Sequence, residues 1–221
     1  MFEYNGDYIH THITPILTYL RSSLKTSLRK PSNLKAIQKV TSLKSGVKFG
    51  FMRKYHILPE SGSKYFGKLK FGLPHGKGTE ISLTYKYVGE FRNGSPHGKG
   101  NIKYAGGDKY VGQFHNGKMH GNGVYHYSEG DKYIGQWKND KKHGQGTYKW
   151  SKGEFKGDTY VGQYKNDKKH GHGKYTYFSL GLVRIGKYKE DESHGRGTYY
   201  FKDGTIKKGI WKNGKLIKYI K

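Results

Sequence analysis

The chain has 221 residues, a formal net charge of +26 and no cysteine, and only 33% of it is hydrophobic, with aromatics alone at 15%. No stretch approaches the roughly 18 uninterrupted apolar residues of a transmembrane helix. The missing cysteines exclude a disulfide scaffold, a Cys-based zinc site and a Cys nucleophile, and they are compatible with a reducing compartment.

Residues 8 to 59 carry ten basic side chains and no acidic one. Ile13, Ile16, Leu17, Leu20, Leu24 and Leu28 recur at helical spacing, with Arg21, Lys25 and Arg29 on or beside the polar face. Pro31 breaks the pattern, and a second short helix is expected from about Ser32 to Leu43, with Gly46 beyond its end. Residues 1–59 are therefore expected to form a basic, partly helical segment, and residues 60–221 a different domain. Three roles fit two amphipathic helices here. They can cap the open edge of a following sheet, or bind a partner or a membrane surface. They can also serve as a mitochondrial presequence, although Glu3 and Asp7 weigh against that.

Low aliphatic content at high net charge ordinarily signals disorder. The 34 Gly, 21 Tyr and 10 Phe argue otherwise, because they recur in order. From residue 65 the chain repeats Tyr-x-Gly-x-aromatic, then a turn, then His-Gly-x-Gly. The units start at Tyr65, Tyr87, Tyr110, Tyr133, Tyr160, Arg184 and Lys207, at intervals of 22, 23, 23, 27, 24 and 23 residues. His75, His97, His120, His143, His170 and His194 each fall ten positions after a start. A fixed period of this size marks a repeat architecture.

Alternation makes each unit a β-hairpin. Tyr133, Gly135 and Trp137 share one face of a strand. Lys138 to Lys142 form a polar turn. On the return strand Gly144, Gly146, Tyr148 and Trp150 share a face. The same positions are held by Tyr87, Gly89, Gly98 and Gly100; by Tyr110, Gly112, Gly121 and Gly123; and by Tyr160, Gly162, Gly171 and Gly173. Strand glycine implies a close neighbour, so aromatic rings of the adjacent strand are expected to lie over each bare glycine. Turns such as Ser128-Glu129-Gly130-Asp131 join the hairpins into an antiparallel meander. Lys152 to Gly157 hold a four-residue insertion. The last unit keeps Gly209 and Trp211, lacks His-Gly-x-Gly, and reads as a capping repeat. The expected fold is mainly β: an elongated single-layer meander of hairpin repeats after a helical segment.

The Tyr-x-Gly-x-aromatic and His-Gly-x-Gly signature, six times in register over residues 65 to 216, resembles the MORN (membrane occupation and recognition nexus) repeat family. That resemblance implies a twisted one-layer sheet serving as a scaffold for protein or membrane contacts. Related arrays occur in membrane-junction, cytoskeletal and ciliary radial-spoke proteins, and as appendages to kinases or methyltransferases. Two departures stand out. Arg184 replaces the expected Tyr, and the tip Lys189-Glu190-Asp191-Glu192-Ser193 is acidic where the other tips are basic.

Little in the chain suggests catalysis or a cofactor. The six repeat histidines should be about 10 Å apart along the array, whereas ligands of one zinc all lie about 2 Å from it. They read as structural turn or cross-strand groups, and no metal, cofactor or small-molecule substrate is expected. Gly112 to Lys118 nearly spells a phosphate-binding loop but crosses a hairpin rather than opening a helix. No Gly-x-Ser-x-Gly elbow occurs. Asp131, Asp140 and Asp167 fall in turns and read as turn formers. A non-enzymatic protein is expected.

Charge is the remaining signal. Arg92, Lys118, Lys141, Lys142, Lys168 and Lys169 recur at hairpin tips and should line one edge as a basic stripe, which makes them the candidate contact residues. The leading expectation is a scaffold binding a partner protein, with a helix laid along the sheet, inside a cytoskeletal, ciliary or membrane-associated assembly. One alternative is peripheral binding to anionic or phosphoinositide membranes, at roughly 1 kcal/mol per basic residue near the surface. Another is a ribonucleoprotein subunit contacting RNA phosphates, though stacking on bases competes with the aromatics' role over glycine. The expected location is intracellular: cytoplasmic, cytoskeletal, ciliary, membrane-associated or mitochondrial.

Overall fold

The computed structural model describes residues 55–220. The helices expected over residues 13–29 and 32–43 lie outside the described residues. Those described form one antiparallel sheet of fifteen strands in strict chain order. The strands are β1 (His56–Ile57), β2 (Lys64–Lys70), β3 (Leu73–Ile81), β4 (Tyr85–Arg92), β5 (Ser95–Tyr104), β6 (Lys109–His115), β7 (Lys118–His126), β8 (Lys132–Lys138), β9 (Lys141–Lys149), β10 (Thr159–Lys165), β11 (Lys168–Tyr177), β12 (Leu182–Lys189), β13 (Glu192–Tyr200), β14 (Ile206–Lys212) and β15 (Lys215–Ile220). The insertion after Trp150 becomes a single 3-10 turn at Gly153–Phe155. The near phosphate-binding loop is the β6–β7 hairpin, with Gly117 at its tip.

Each hairpin but the last pairs its two glycines across the strands, as in Gly135 opposite Gly146, whereas Gly209 faces Tyr219. The ring over them comes from the hairpin's first strand, the neighbouring strand expected for Gly146 but the glycine's own strand for Gly135. A Cβ on Gly146 would lie 2.5 Å from Tyr133 Cε2, and one on Gly135 would lie 2.6 Å from the Tyr133 hydroxyl. Tyr65, Tyr87, Tyr110 and Tyr160 cover their glycine pairs in the same way, and all five rings are fully buried. Each hydroxyl donates to the carbonyl three residues on, at 2.9 to 3.1 Å. Burial in so thin a sheet is thus achieved by laying rings flat along the backbone.

The first glycine of His-Gly-x-Gly does not share that face. A bulge after Gly135 pairs Gln136 with His143 and leaves Gly144 and Gln145 extra. Gly144 has φ +59°, and its missing Cβ points at the Gln136 side chain. Gln136 Oε1 accepts the Gln145 amide at 2.8 Å, satisfying a donor that the bulge leaves free. Gly98, Gly121 and Gly171 repeat this positive-φ geometry against Glu90, Gln113 and Gln163. Strict two-residue alternation therefore fails at these glycines. The repeat histidines are cross-strand groups: His120, His143 and His170 sit opposite Gln113, Gln136 and Gln163.

Neighbouring hairpins are clipped at their tips. The tip amide of one unit donates to the residue just before His in the preceding unit, from Gly94 to Pro74 and from Gly117 to Pro96. Proline has no amide to return. Where the pre-His residue has one, the next tip carries aspartate in three units, and only Ser193, which meets Gly214, departs from this among the described residues. Met119, Lys142 and Lys169 donate to Asp140, Asp167 and Asp191 at 2.8 Å, and those aspartates donate their amides back. Pro–Gly and amide–Asp are two solutions to one accounting problem. At the other ends of the strands, Asp108, Asp131 and Asp158 accept the hydroxyls of Tyr125, Tyr148 and Tyr175 at 2.6 to 2.8 Å and an amide of the following turn. Asp131 is thereby a buried tie between strand and turn, more than the turn former expected.

Candidate functional site: the aromatic face

One face of the sheet carries the rings and the other carries polar and β-branched side chains. On the first, two ladders run along the array. The deeper passes from Tyr87 through Phe114, Tyr110, Trp137 and Tyr133 to Tyr164, with ring centroids 5.0 to 5.4 Å apart and planes 80 to 88° to one another. This edge-to-face order suits the ring quadrupoles. It continues through Tyr160 to Tyr188. The second ladder, Tyr125–Tyr127–Tyr148–Trp150–Tyr175–Tyr177, has centroids 4.3 to 5.7 Å apart and is only half-buried from Tyr127 to Trp150. Tyr133, Trp137, Tyr148 and Trp150, expected as platform residues, all stand on this face. Burial raises the Tyr133 and Tyr160 hydroxyls above their ordinary range, and the Asp131 carboxylate bonded to the Tyr148 hydroxyl raises that one further after burial. These phenols stay protonated at neutral pH and act as donors.

The six expected contact residues divide. Arg92, Lys118, Lys141 and Lys168 are exposed at the hairpin tips, as the stripe requires. Lys142 and Lys169 are not part of it. Each lies directly opposite an aromatic of the first strand, Trp137 and Tyr164, so strand alternation turns it onto the ring face. Lys142 Nζ lies 4.9 Å from the Tyr148 ring centroid, 5.7 Å from Tyr164 and 5.8 Å from Tyr133. Lys169 Nζ lies 5.1, 5.8 and 5.9 Å from Tyr175, Tyr160 and Tyr188. Burial lowers both ammonium pKa values. Met119 holds the same place one unit earlier and is buried in the core. Adjacency in a tip groups these lysines with their exposed neighbours, whereas alternation along the strand separates them.

In the sequence Arg184 stands only as a departure from the repeat. It has 0% exposure and occupies the tyrosine position in full. Its Nη2 donates to the Lys187 carbonyl at 3.1 Å, the bond the tyrosine hydroxyls make elsewhere. Its guanidinium sits 4.4 Å from the Tyr188 ring and 5.4 Å from Trp211, which carries the deep ladder across to the last hairpin. Among the described residues Nε and Nη1 have no hydrogen-bond partner, nor has the Tyr188 hydroxyl.

The opposite face is less enclosed. Val88, Val111, Ile134, Val161 and Ile185 form an exposed row, 41 to 49% accessible. Lys138 opposite Lys141 and Lys165 opposite Lys168 stand at its tip end. Among the described residues the ion pairs within 4 Å both involve Glu190, which meets Lys168 at 3.0 Å and His170 at 3.8 Å. The acidic tip thus neutralises its own end of the lysine stripe. Among the described residues no cluster of three His, Asp or Glu side chains has metal-binding geometry.

A search of curated proteins finds no match. Among solved structures, one similar chain is the SAS-4 TCP domain of Drosophila melanogaster in complex with a proline-rich motif of Ana2. It is 13% identical, with 76% of this chain and 85% of that one covered and a TM-score of 0.34. The family model described as MORN repeat matches residues 65–82, 87–109, 110–132, 133–155, 160–179 and 185–206. The match stops short of the last hairpin, whose Lys207 replaces the ring-bearing Tyr. MORN repeats are protein-interaction or membrane-binding modules and carry no catalytic machinery of their own. With more than half of its length matched in six consecutive units, the chain belongs to the MORN repeat family.

Proposed function

We infer that this chain is a non-enzymatic scaffold whose aromatic face docks a helix of a partner protein, within a cytoskeletal, ciliary or membrane-associated assembly. The observation that carries the reading is the half-buried ladder from Tyr127 to Trp150, a continuous apolar surface along a one-layer sheet. A helix suits it better than a strand. The sheet's backbone groups are already paired between strands, so a strand laid on the face would leave its own amides unbonded, whereas a helix satisfies its own.

The test replaces Trp150 on the aromatic face, or Ile134 on the opposite face, with a photo-crosslinking amino acid in the tagged full chain, irradiated in native extract with and without RNase. Protein crosslinks from position 150 that survive RNase support the reading. Crosslinks confined to position 134 refute it. A second reading, attachment to an anionic membrane, is favoured by the exposed Val–Ile row beside Lys138, Lys141, Lys165 and Lys168. Salt-sensitive binding to phosphatidylserine vesicles that is lost in Ile134→Ser would support that one instead. Loss of captured material on RNase treatment would point to RNA.

A further inference from the structure

The aromatic face is not uniform along its length. In the β4–β7 half, Phe91, Ile102, Phe114 and Met119 are buried and none is charged. From β9 onward three cations enter the same face: Lys142, Lys169 and Arg184. Each replaces a residue that other units supply as apolar or phenolic, Met119 in the two lysine cases and Tyr160 or Tyr133 in the arginine case. None of the three is needed to neutralise a neighbour. Among the described residues no carboxylate oxygen lies within 4 Å of their charged nitrogens, although Asp167, Asp191 and Asp131 act on the lysines at longer range. The nearest acids are already engaged. Asp167 and Asp191 accept the Lys142 and Lys169 backbone amides, and Asp131 and Asp158 hold tyrosine hydroxyls. The rings around the lysines supply only partial compensation for lost hydration.

A cation stripped of water with no counter-ion in contact is a standing cost, and Arg184 shows it most plainly, with Nε and Nη1 unbonded among the described residues at 0% exposure. Lys169 and Arg184 face one ring, Tyr188, at 5.9 and 4.4 Å. Lys142 stands one hairpin away, about 10 Å along the array.

We propose that the partner helix is acidic on one end of its docking side, and that Lys142 and Lys169 each receive one of its carboxylates, while Arg184, with no exposed surface, adds its charge from beside Tyr188. The spacing follows from the geometry. Ten ångströms is about seven residues of helix, so the two acidic residues lie two turns apart on the helix side that meets the rings. The other end of the helix, over Phe114 and Met119, is apolar. The proposal rests on the aromatic face being the docking surface and adds the chemistry of what docks.

The test is selection from a displayed library of 21-residue helix-forming peptides, randomised on one side, against the full chain at 150 mM salt. Three substitutions remove the cations while restoring residues the repeat already uses: Lys142→Met, Lys169→Met and Arg184→Tyr. A control, Lys141→Gln with Lys168→Gln, removes the same charge type from the exposed tips. The expected result is enrichment of Asp or Glu seven residues apart. Such peptides should bind the triple variant at least about 30-fold more weakly and the control within about threefold. Peptides selected without acidic enrichment overturn the proposal and leave the docking surface standing. Acidic peptides that bind the triple variant as well as the wild type also overturn it, since net charge alone then explains them. If no peptide is selected above background, the docking surface itself is wrong and the proposal falls with it.

Discussion

Replacing Gly146 with alanine tests the packing principle of the whole sheet. Its new Cβ would fall 2.5 Å from Tyr133 Cε2, inside the ring's contact distance, while the Gly135 backbone and the rest of the hairpin close the other side. If the ring stays, overpacking costs about 1–3 kcal/mol. If it is expelled, a tyrosine that buries about 200 Å² loses up to about 5 kcal/mol at 25 cal/mol per Å². Tyr133 also packs on Trp137 and Tyr164, at 5.1 and 5.2 Å, so expulsion breaks the deep ladder in the middle. We expect a loss near 3–5 kcal/mol. The matched control is Gly117→Ala, at a hairpin tip with φ +79° and nothing within 4 Å of the added methyl. There only backbone strain acts, about 1–2 kcal/mol. Because each unit touches only its neighbours, hydrogen exchange should show the damage locally. Gly146→Ala should deprotect β8 to β10 and leave β14 and β15 as in the wild type. Equal denaturation of the two alanine variants, or unchanged exchange in β8 to β10, would refute ring-over-glycine packing as the source of stability.

Alkaline pH should unfold the array. Burial raises Tyr65, Tyr87, Tyr110, Tyr133 and Tyr160 above their ordinary value of 10.0. Above that pH the unfolded chain sheds protons that the fold retains, so stability present below pH 10 is lost as pH rises. Halving the nominal ~1.4 kcal/mol per group per pH unit for solvent screening, the five together lose about 3 kcal/mol by pH 11. Lys142 and Lys169, lowered by burial, act in the opposite sense but are two against five. Phenolate absorbance should therefore rise with a cooperative loss of circular dichroism, and a smooth titration with the fold intact would count against this. Asp131→Ala should cost about 2–3 kcal/mol, since it strands the Tyr148 hydroxyl and the Ser151 amide. Asp140→Ala, which frees the Met119 amide at a tip, should cost under about 1.5 kcal/mol, and chemical denaturation compares the two.

The hairpin period, the strand order and the ring-and-glycine composition were legible in the sequence because they repeat. A residue at the same place in six units reports one physical demand. Tyr133, Gly135, Trp137 and Tyr148 could be placed on one face from alternation alone. The tertiary structure decided what alternation cannot see. The bulge after Gly135 turns Gly144 away from the rings and gives Gln136 its bond to the Gln145 amide, because two extra residues shift the register locally. Alternation, not the bulge, parts Lys142 from Lys141 and Lys169 from Lys168, and there the tertiary structure adds only the rings they meet. It also turns Arg184 from an irregularity into the bridge between Tyr188 and Trp211, since a planar guanidinium can stack where a phenol ring would. Sequence by itself determined the repeat and its meander. Only the folded sheet decided which charges meet water and which meet rings, because burial is a property of the face and not of the residue.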